Sequence, residues 1–222
     1  MSEALFKGIM ESLTEEQQPS GFALTPGVVT NPFDLISEGR VQVKIPAKPG
    51  FEPWARLAAV GGGADRGFLW APQIDDEVLV ALAQNDDRDA YILGGLWSTM
   101  DRPPALSPTD PLIKRVIKTG IDPVPGHEVE FDDALQSITI TSSTKQKISI
   151  DPTAIEVSTT GGSVSLKLDL TTQTVSVTAP KAIEMKAADI SLEGVSVSVK
   201  AGKIDLQAAG VCTVQGSLVK IN

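Results

Sequence analysis

The sequence predicts an all-β protein in two parts: an N-terminal barrel, then an intertwined trimeric β-helix, a β-prism needle. Three observations predict it. No aromatic residue follows Phe131. Residues 131–222 are built from apolar pairs, x-Φ-x-Φ, set among Ser, Thr, Lys, Ala and Gly. Residues 21–97 hold five or six short apolar or alternating runs broken by Gly, Pro, Asn and Asp.

The pairs are Ile148/Ile150, Ile155/Val157, Leu168/Leu170, Val175/Val177, Ile183/Met185, Ile190/Leu192, Val197/Val199, Ile204/Leu206, Cys212/Val214 and Val219/Ile221. Their first members are 7, 13, 7, 8, 7, 7, 7, 8 and 7 residues apart. This is an internal repeat. Side chains alternate along a strand, so each pair lies on one face. Two aliphatic side chains cannot bury themselves, so the strands must stack on copies from the same chain or from others. A single-chain β-helix needs roughly three units per rung plus caps, so these units would give only about three rungs. Three interleaved chains solve the problem, each supplying a face of a triangular prism. The homotrimer is the reading favoured here, and the single-chain β-helix is the alternative. A coiled coil fits poorly, because residues two apart lie on opposite sides of a helix and β-branched residues favour strand.

The 222 residues suffice for one or two domains. No apolar run approaches a membrane span, and no signal-peptide pattern opens the chain. One cysteine, Cys212, excludes an intrachain disulfide. Residues 1–130 carry 19 acids and 11 bases, and residues 131–222 carry 9 and 8. All three Trp, the Tyr and the His lie in the first part. These shifts separate two structural regimes.

In chain order, residues 1–20 read as a short helical arm. Leu5, Phe6, Ile9, Met10 and Leu13 fall at helical spacing, and Pro19 and Gly21 end it. Strands follow at Phe22–Thr30, Gly39–Pro46, Trp54–Val60, Phe68–Pro72, Glu77–Leu82 and Tyr91–Trp97. Strands so short and closely spaced predict a small barrel over residues 21–98. Residues 99–130, with six prolines between 103 and 125, read as an extended connector in which Ile113–Ile117 is a possible short strand. The needle occupies residues 131–222.

Four ordered motifs now bear on family. They are Gly39-Arg40-Val41-x-Val43-x-Ile45-Pro46, Trp54-Ala55-Arg56, Pro72-x-Ile74-x-Asp76-Glu77-Val78-Leu79-Val80 and Tyr91-x-Leu93-Gly94-x-Leu96. Together they resemble the oligonucleotide/oligosaccharide-binding-type (OB-type) barrel of contractile-injection spikes. These are the phage baseplate assembly protein V family and the valine-glycine-repeat spikes of type VI secretion. Gly126-His127-Glu128-Val129-Glu130-Phe131-Asp132-Asp133 with Ile138-x-Ile140 resembles that family's join between barrel and needle.

The resemblance implies a structural central spike in a virion or injection particle, made in the bacterial cytoplasm and placed in the baseplate at the distal end of the tail. It would pierce a target envelope, with transient membrane contact, and link a hub protein to a tip. Asp75 stands where the family often has Gly. Some relatives end in a His-x-His iron site, which a chain with only His127 does not support. Residues 99–130 are too few for the lysozyme insert of some relatives. A preceding hub domain is expected to be a separate protein. Leu5, Phe6, Ile9 and Met10 are the candidate hub-docking residues.

Chemistry is sparse. Asp75-Asp76-Glu77 and Asp86-Asp87-Asp89 flank strands without a Gly-punctuated ligand loop, and read as solvated turns. His127 lacks a nucleophile partner and reads as a packing or hydrogen-bonding residue at the join. Cys212 reads as a small apolar side chain of the repeat. The acidic first part opposes nucleic-acid binding, and Gly61-Gly62-Gly63 lacks the Lys-Ser/Thr of a phosphate loop. No catalytic residue, metal or cofactor is expected. A receptor-binding trimeric fibre or adhesin is the alternative function, and would be expected to end in an aromatic-rich head.

The repeat itself suggests its end. The eight-residue step from Ile204 to Cys212 needs a bulge or turn, with Gly210 the natural place. The last units carry apolar residues on both faces: Val211, Cys212, Val214, Leu218, Val219 and Ile221. Such an end is usually covered. These residues are the candidate docking site for a conical tip protein of the proline-alanine-alanine-arginine-repeat (PAAR) type.

Overall fold

The computed structural model describes residues 21–32, 34, 38–83, 89–104, 107–121 and 123–220. Leu5, Phe6, Ile9, Met10, Asp86, Asp87 and Ile221 lie outside them.

Five strands close a barrel. They are β1 (Phe22–Asn31), β2 (Arg40–Lys44), β3 (Trp54–Leu57), β4 (Glu77–Ala83) and β5 (Ala90–Gly95). Their order is β1-β2-β3-β5-β4, and β4 returns to β1. All neighbours are antiparallel except β3 and β5. This is the connectivity of a five-stranded OB-type barrel.

Alternation explains β2, where Val41 and Val43 are buried between Arg40, Gln42 and Lys44. The core adds Val29, Ile45, Ala55, Val78, Val80, Leu82, Ala90 and Ile92, with Phe51 and Leu57 packed against it. Gly27 lets β1 lie close to this core. A Cβ there would stand 2.9 Å from Val80 Cγ2 and 3.2 Å from Ile45 Cδ1.

Phe68–Pro72, expected as a strand, pairs with no strand. Phe68 N–H reaches the carbonyl of Val60 at 3.0 Å, and Phe68 and Trp70 stack on each other at 5.6 Å between ring centres. Extended backbone puts residues two apart on one side, so this run keeps the strand pattern without a ladder. Asp75 holds a φ of 70°, a conformation glycine adopts at no steric cost.

Seven further strands form one antiparallel meander: β6 (Lys114–Lys118), β7 (Glu128–Asp132), β8 (Ser137–Thr141), β9 (Lys147–Ile150), β10 (Ala154–Ser158), β11 (Ser165–Asp169) and β12 (Thr174–Thr178). A single helical turn, Asp110–Ile113, precedes β6. The sheet thus takes β6 and most of β7 from the stretch read as an extended connector. Between 131 and 178 the repeats pair within the chain, where the sequence led us to expect interleaving. Local turn chemistry is the reason. Asp132 Oδ1 accepts Leu135 N–H, Asp151 Oδ1 accepts the N–H groups of Thr153 and Ala154, and Asp169 Oδ1 accepts those of Thr171 and Thr172. Each is an Asx-type hairpin turn.

Residues 181–222 are a separate unit. Those described, 181–220, hold neither helix nor strand. Their backbone bends at Lys181, Ala188, Gly194–Val195, Gly202, Ala209–Gly210 and Ser217–Leu218. The bends recur every seven or eight residues, and one apolar pair lies between each bend and the next.

Gly27→Ala tests the barrel's tightest contact. Overpacking there is expected to lower unfolding free energy by about 1–3 kcal/mol, measured by denaturant titration of the barrel transition.

Candidate functional site

The sheet β6–β12 has two unlike faces. Opposed residues in a ladder share a face, so the register can be followed across all seven strands. One row is Ile117, Val129, Ile140, Ile148, Val157, Leu166 and Val177. The second is Phe131, Ile138, Ile150, Ile155, Leu168 and Val175, with Arg115 at its β6 end. All but Val129 and Ile155 of these apolar residues are exposed in the single chain, and those two are half-buried. Two aliphatic rows therefore run the length of the sheet with nothing over them in one chain.

The other face is polar and paired. Lys114 Nζ lies 3.2 Å from Glu130 and 3.5 Å from Asp132, whose side chain is buried. Its hydrogen bond with Glu130 is the main cause of a raised Lys114 pKa. Lys118 meets Glu128 at 2.9 Å and Lys167 meets Asp169 at 3.0 Å. Thr172's backbone N–H, then Lys167, hold the Asp169 carboxyl down to about 2. The hydroxyl and N–H of Thr153 lower Asp151 in the same way.

Sequence reasoning began the repeat at Ile148/Ile150 and read Ile138-x-Ile140 only as part of the join. It missed Ile117, Val129 and Phe131 as members. Glu128-Val-Glu-Phe-Asp132 carries the same x-Φ-x-Φ signal, one turn earlier than the repeat was sought. His127 sits at the start of β7, where its Nδ1 accepts Ser143 N–H at 3.3 Å. Its backbone pairs with Thr119, whose hydroxyl also accepts His127 N–H at 2.8 Å. Gly126 beside it is obligatory, since a Cβ there would overlap the Thr119 carbonyl.

Of the candidate tip-docking residues, Val211 is 88% exposed, and Cys212, Val214, Leu218 and Val219 are exposed as well. The backbone bends at Ala209–Gly210, where the eight-residue step falls. No described contact joins these residues into a formed pocket.

On the barrel, a groove of about 520 Å³ is lined by Val60, Phe68, Trp70, Leu96, Trp97 and Arg102, among others. Asp76, Glu77 and Asp101 also border it. Trp97 is 72% exposed. The aromatics suit a protein partner, since large amphipathic rings dominate interface energetics. The carboxylates oppose a polyanion.

These observations define an all-β chain with an OB-type barrel followed by a sheet patterned for assembly. Residues 25–97 match the model of the Type VI secretion system/phage-baseplate injector OB domain. The barrel, about a third of the chain, is thus similar to the OB domain of phage-baseplate and type VI secretion injectors. No curated protein matches the chain.

The turn carboxylates set a pH limit. Asp169's folded value of about 2 lies below its ordinary 3.8. A depressed carboxyl stabilises the fold above its unfolded pKa, and that contribution is lost as pH falls through the folded one. The β11–β12 turn is expected to loosen only as pH drops from about 4 towards 2. A carboxyl carbon titration by NMR should place Asp169's midpoint near 2; a midpoint at 3.8 would contradict these contacts.

Proposed function

We propose that this chain is the central spike of a contractile tail or injection machine, assembled as a homotrimer and acting mechanically. The observation that carries it is an open two-row apolar face on the sheet, in a chain whose tail repeats apolar pairs between regularly spaced bends. Buried together, three copies of the face make a prism with an aliphatic axis and a charged exterior. Bends every seven or eight residues in 181–220 suit the corners of a trimeric prism, with the intervening apolar pairs turned inward. Strand pairing between chains would satisfy the backbone groups that the single chain leaves without ladder partners. Three-fold closure would remove free edges.

A needle of this kind transmits thrust by spreading load over many parallel hydrogen bonds. Small aliphatics keep it slender. Sheath contraction would drive it into an envelope, with transient contact to the target membrane and no chemistry of its own. The barrel would form a collar around the axis, with the Trp70–Trp97 groove turned to the hub protein. Val211, Cys212, Val214, Leu218, Val219 and Ile221 would seat a PAAR-type tip. A trimeric receptor-binding fibre shares the shaft, but the barrel's family favours the spike.

Two outcomes are expected. The chain, of 23.4 kDa, sediments as a trimer, and Val157→Asp with Leu166→Asp yields monomer; a wild-type monomer at micromolar concentration would sink the reading. Deleting residues 216–222 leaves the trimer intact and abolishes capture of a PAAR-type tip protein in a pull-down; retained capture would remove the tip-docking assignment.

A further inference from the structure

The groove on the barrel opens where two strands part. β3 and β5 run parallel and pair only at Arg56–Tyr91 and Leu57–Ile92. Ala58 N–H then reaches the Ile92 carbonyl at 2.9 Å. Beyond that bond, no backbone hydrogen bond among the described residues joins 59–60 to 94–97. β5 stays with β4, and Leu96 N–H reaches the Glu77 carbonyl at 2.8 Å. The chain after β3 pairs instead with its own loop, where the Val60 carbonyl accepts Phe68 N–H. The fork between them leads down to Val78 and Ile92, both core residues.

Two properties of β5 indicate what enters this fork. One is the direction of its backbone. Antiparallel pairs alternate between hydrogen-bonded and non-hydrogen-bonded. Leu96 bonds Glu77, and the register sets Gly95 opposite Val78. The N–H and C=O of Gly95 therefore point away from β4 and into the fork. The other property is the glycine pair. Neither Gly94 nor Gly95 has a positive φ. A Cβ at Gly94 would meet nothing within 4 Å, and one at Gly95 only the Glu77 carbonyl at 4.0 Å. Neither backbone conformation nor packing within the chain calls for glycine here. Glycine weakens a strand, and it marks places where a ligand or another backbone comes close. Gly95 shares a face with the fully buried Val78, so the space left by its missing side chain lies at the groove floor.

The lining specifies the rest. It holds the stacked Phe68 and Trp70 rings and the exposed Trp97. Its charged residues are Asp76, Glu77, Asp101 and Arg102, three carboxylates against one cation. Arg102 Nε is directed at the Thr99 carbonyl, 3.4 Å away. Ring faces attract cations as carboxylates do. We infer that the groove receives an extended segment of a partner protein, added as a strand along Gly94–Trp97, in which apolar residues alternate with Lys or Arg. In strand addition, main-chain hydrogen bonds give affinity and pockets for alternate side chains give specificity. Gly95 supplies the main-chain donor and acceptor. One set of guest side chains fills the space over Gly95, beside Val78 and Ile92. The other set reaches the carboxylates and rings at the border. A sugar would use the same rings, but the open backbone edge and the carboxylate excess favour a basic strand. This inference deepens the docking role proposed for the groove and rests on that part of the proposal alone. Sedimentation and tip capture do not bear on it.

The test selects binders to the full chain from a displayed library of random peptides of about ten residues, the length of a long strand. Enriched sequences should alternate apolar residues with Lys or Arg. A synthetic copy of one should change the tryptophan emission of the chain. Its Kd should rise at least about tenfold in Gly95→Leu, which fills the floor where the chain's own atoms leave space. Trp97→Ala, at a position 72% exposed, should weaken binding to a similar degree with the barrel's melting transition unchanged. Raising salt from about 0.05 to about 0.5 M should weaken binding several-fold, as screening requires of an ionic contact. No enrichment, enriched sequences without basic residues, or binding that both variants leave unchanged would overturn the inference. Chitohexaose binding that the two variants abolish, with no peptide enriched, would give the rings to a glycan and overturn it as well.

Discussion

A β-strand has two edges, and its backbone groups must be paired wherever water is excluded. This constraint governs the last third of the chain. Among the described residues, 181–220 make no ladder with any other segment of the chain. Yet apolar pairs recur through them at a spacing that only a packed interior uses. The proposed resolution is pairing between copies, and the other features of the segment follow from it. Aromatics are absent because a narrow axis has no room for them. Bends come at intervals of seven or eight residues because each chain would cross one prism face before turning to the next. The outward positions are Ser, Thr, Lys and Glu because they face water in any such assembly.

The preceding sheet meets the same constraint half-way. Its hydrogen bonds close within the chain through five hairpin connections and one longer loop, so the meander forms from local pairings. Its apolar face remains open. Hairpin turns at Asp132, Asp151 and Asp169 make the difference between this region and the tail. Each aspartate accepts backbone N–H groups of the residues that follow it. From Pro180 onward the repeat continues without comparable turns, and intrachain pairing stops with them. One apolar pattern thus yields two architectures, according to whether turn residues let the chain reverse.

This difference explains what could be read from the residues. The barrel strands were legible because alternation is a local signal: Arg40–Lys44 buries Val41 and Val43, as the pattern requires. The run Phe68–Trp70 misled because alternation reports an extended backbone but not a neighbour to pair with. Strand β6 falls where Ile113–Ile117 suggested one, but β7 was hidden at the end of a stretch judged by its prolines, although Glu128–Asp132 carries the repeat. Hairpins were missed partly because left-handed turn positions are held by Gln136, Lys145 and Gln173, with no glycine to mark them. The groove at Trp70 and Trp97 joins residues distant in sequence, so no motif could announce it.

Two open apolar surfaces therefore call for different explanations. The sheet's rows repeat along one direction, strand after strand, and the tail offers the same paired unit seven residues at a time. Repetition of this kind matches a partner with the same repetition, and another copy of the chain is the simplest one. The barrel's face does not repeat. Its exposed apolar residues, Phe22 and Leu24 of β1 and Leu93 of β5, follow no repeat. The barrel closes around its core within one chain, while in the proposed reading the needle would be completed by other copies. The proposed spike would thus combine a barrel whose core closes within one chain with a shaft whose apolar face is buried only when copies share it.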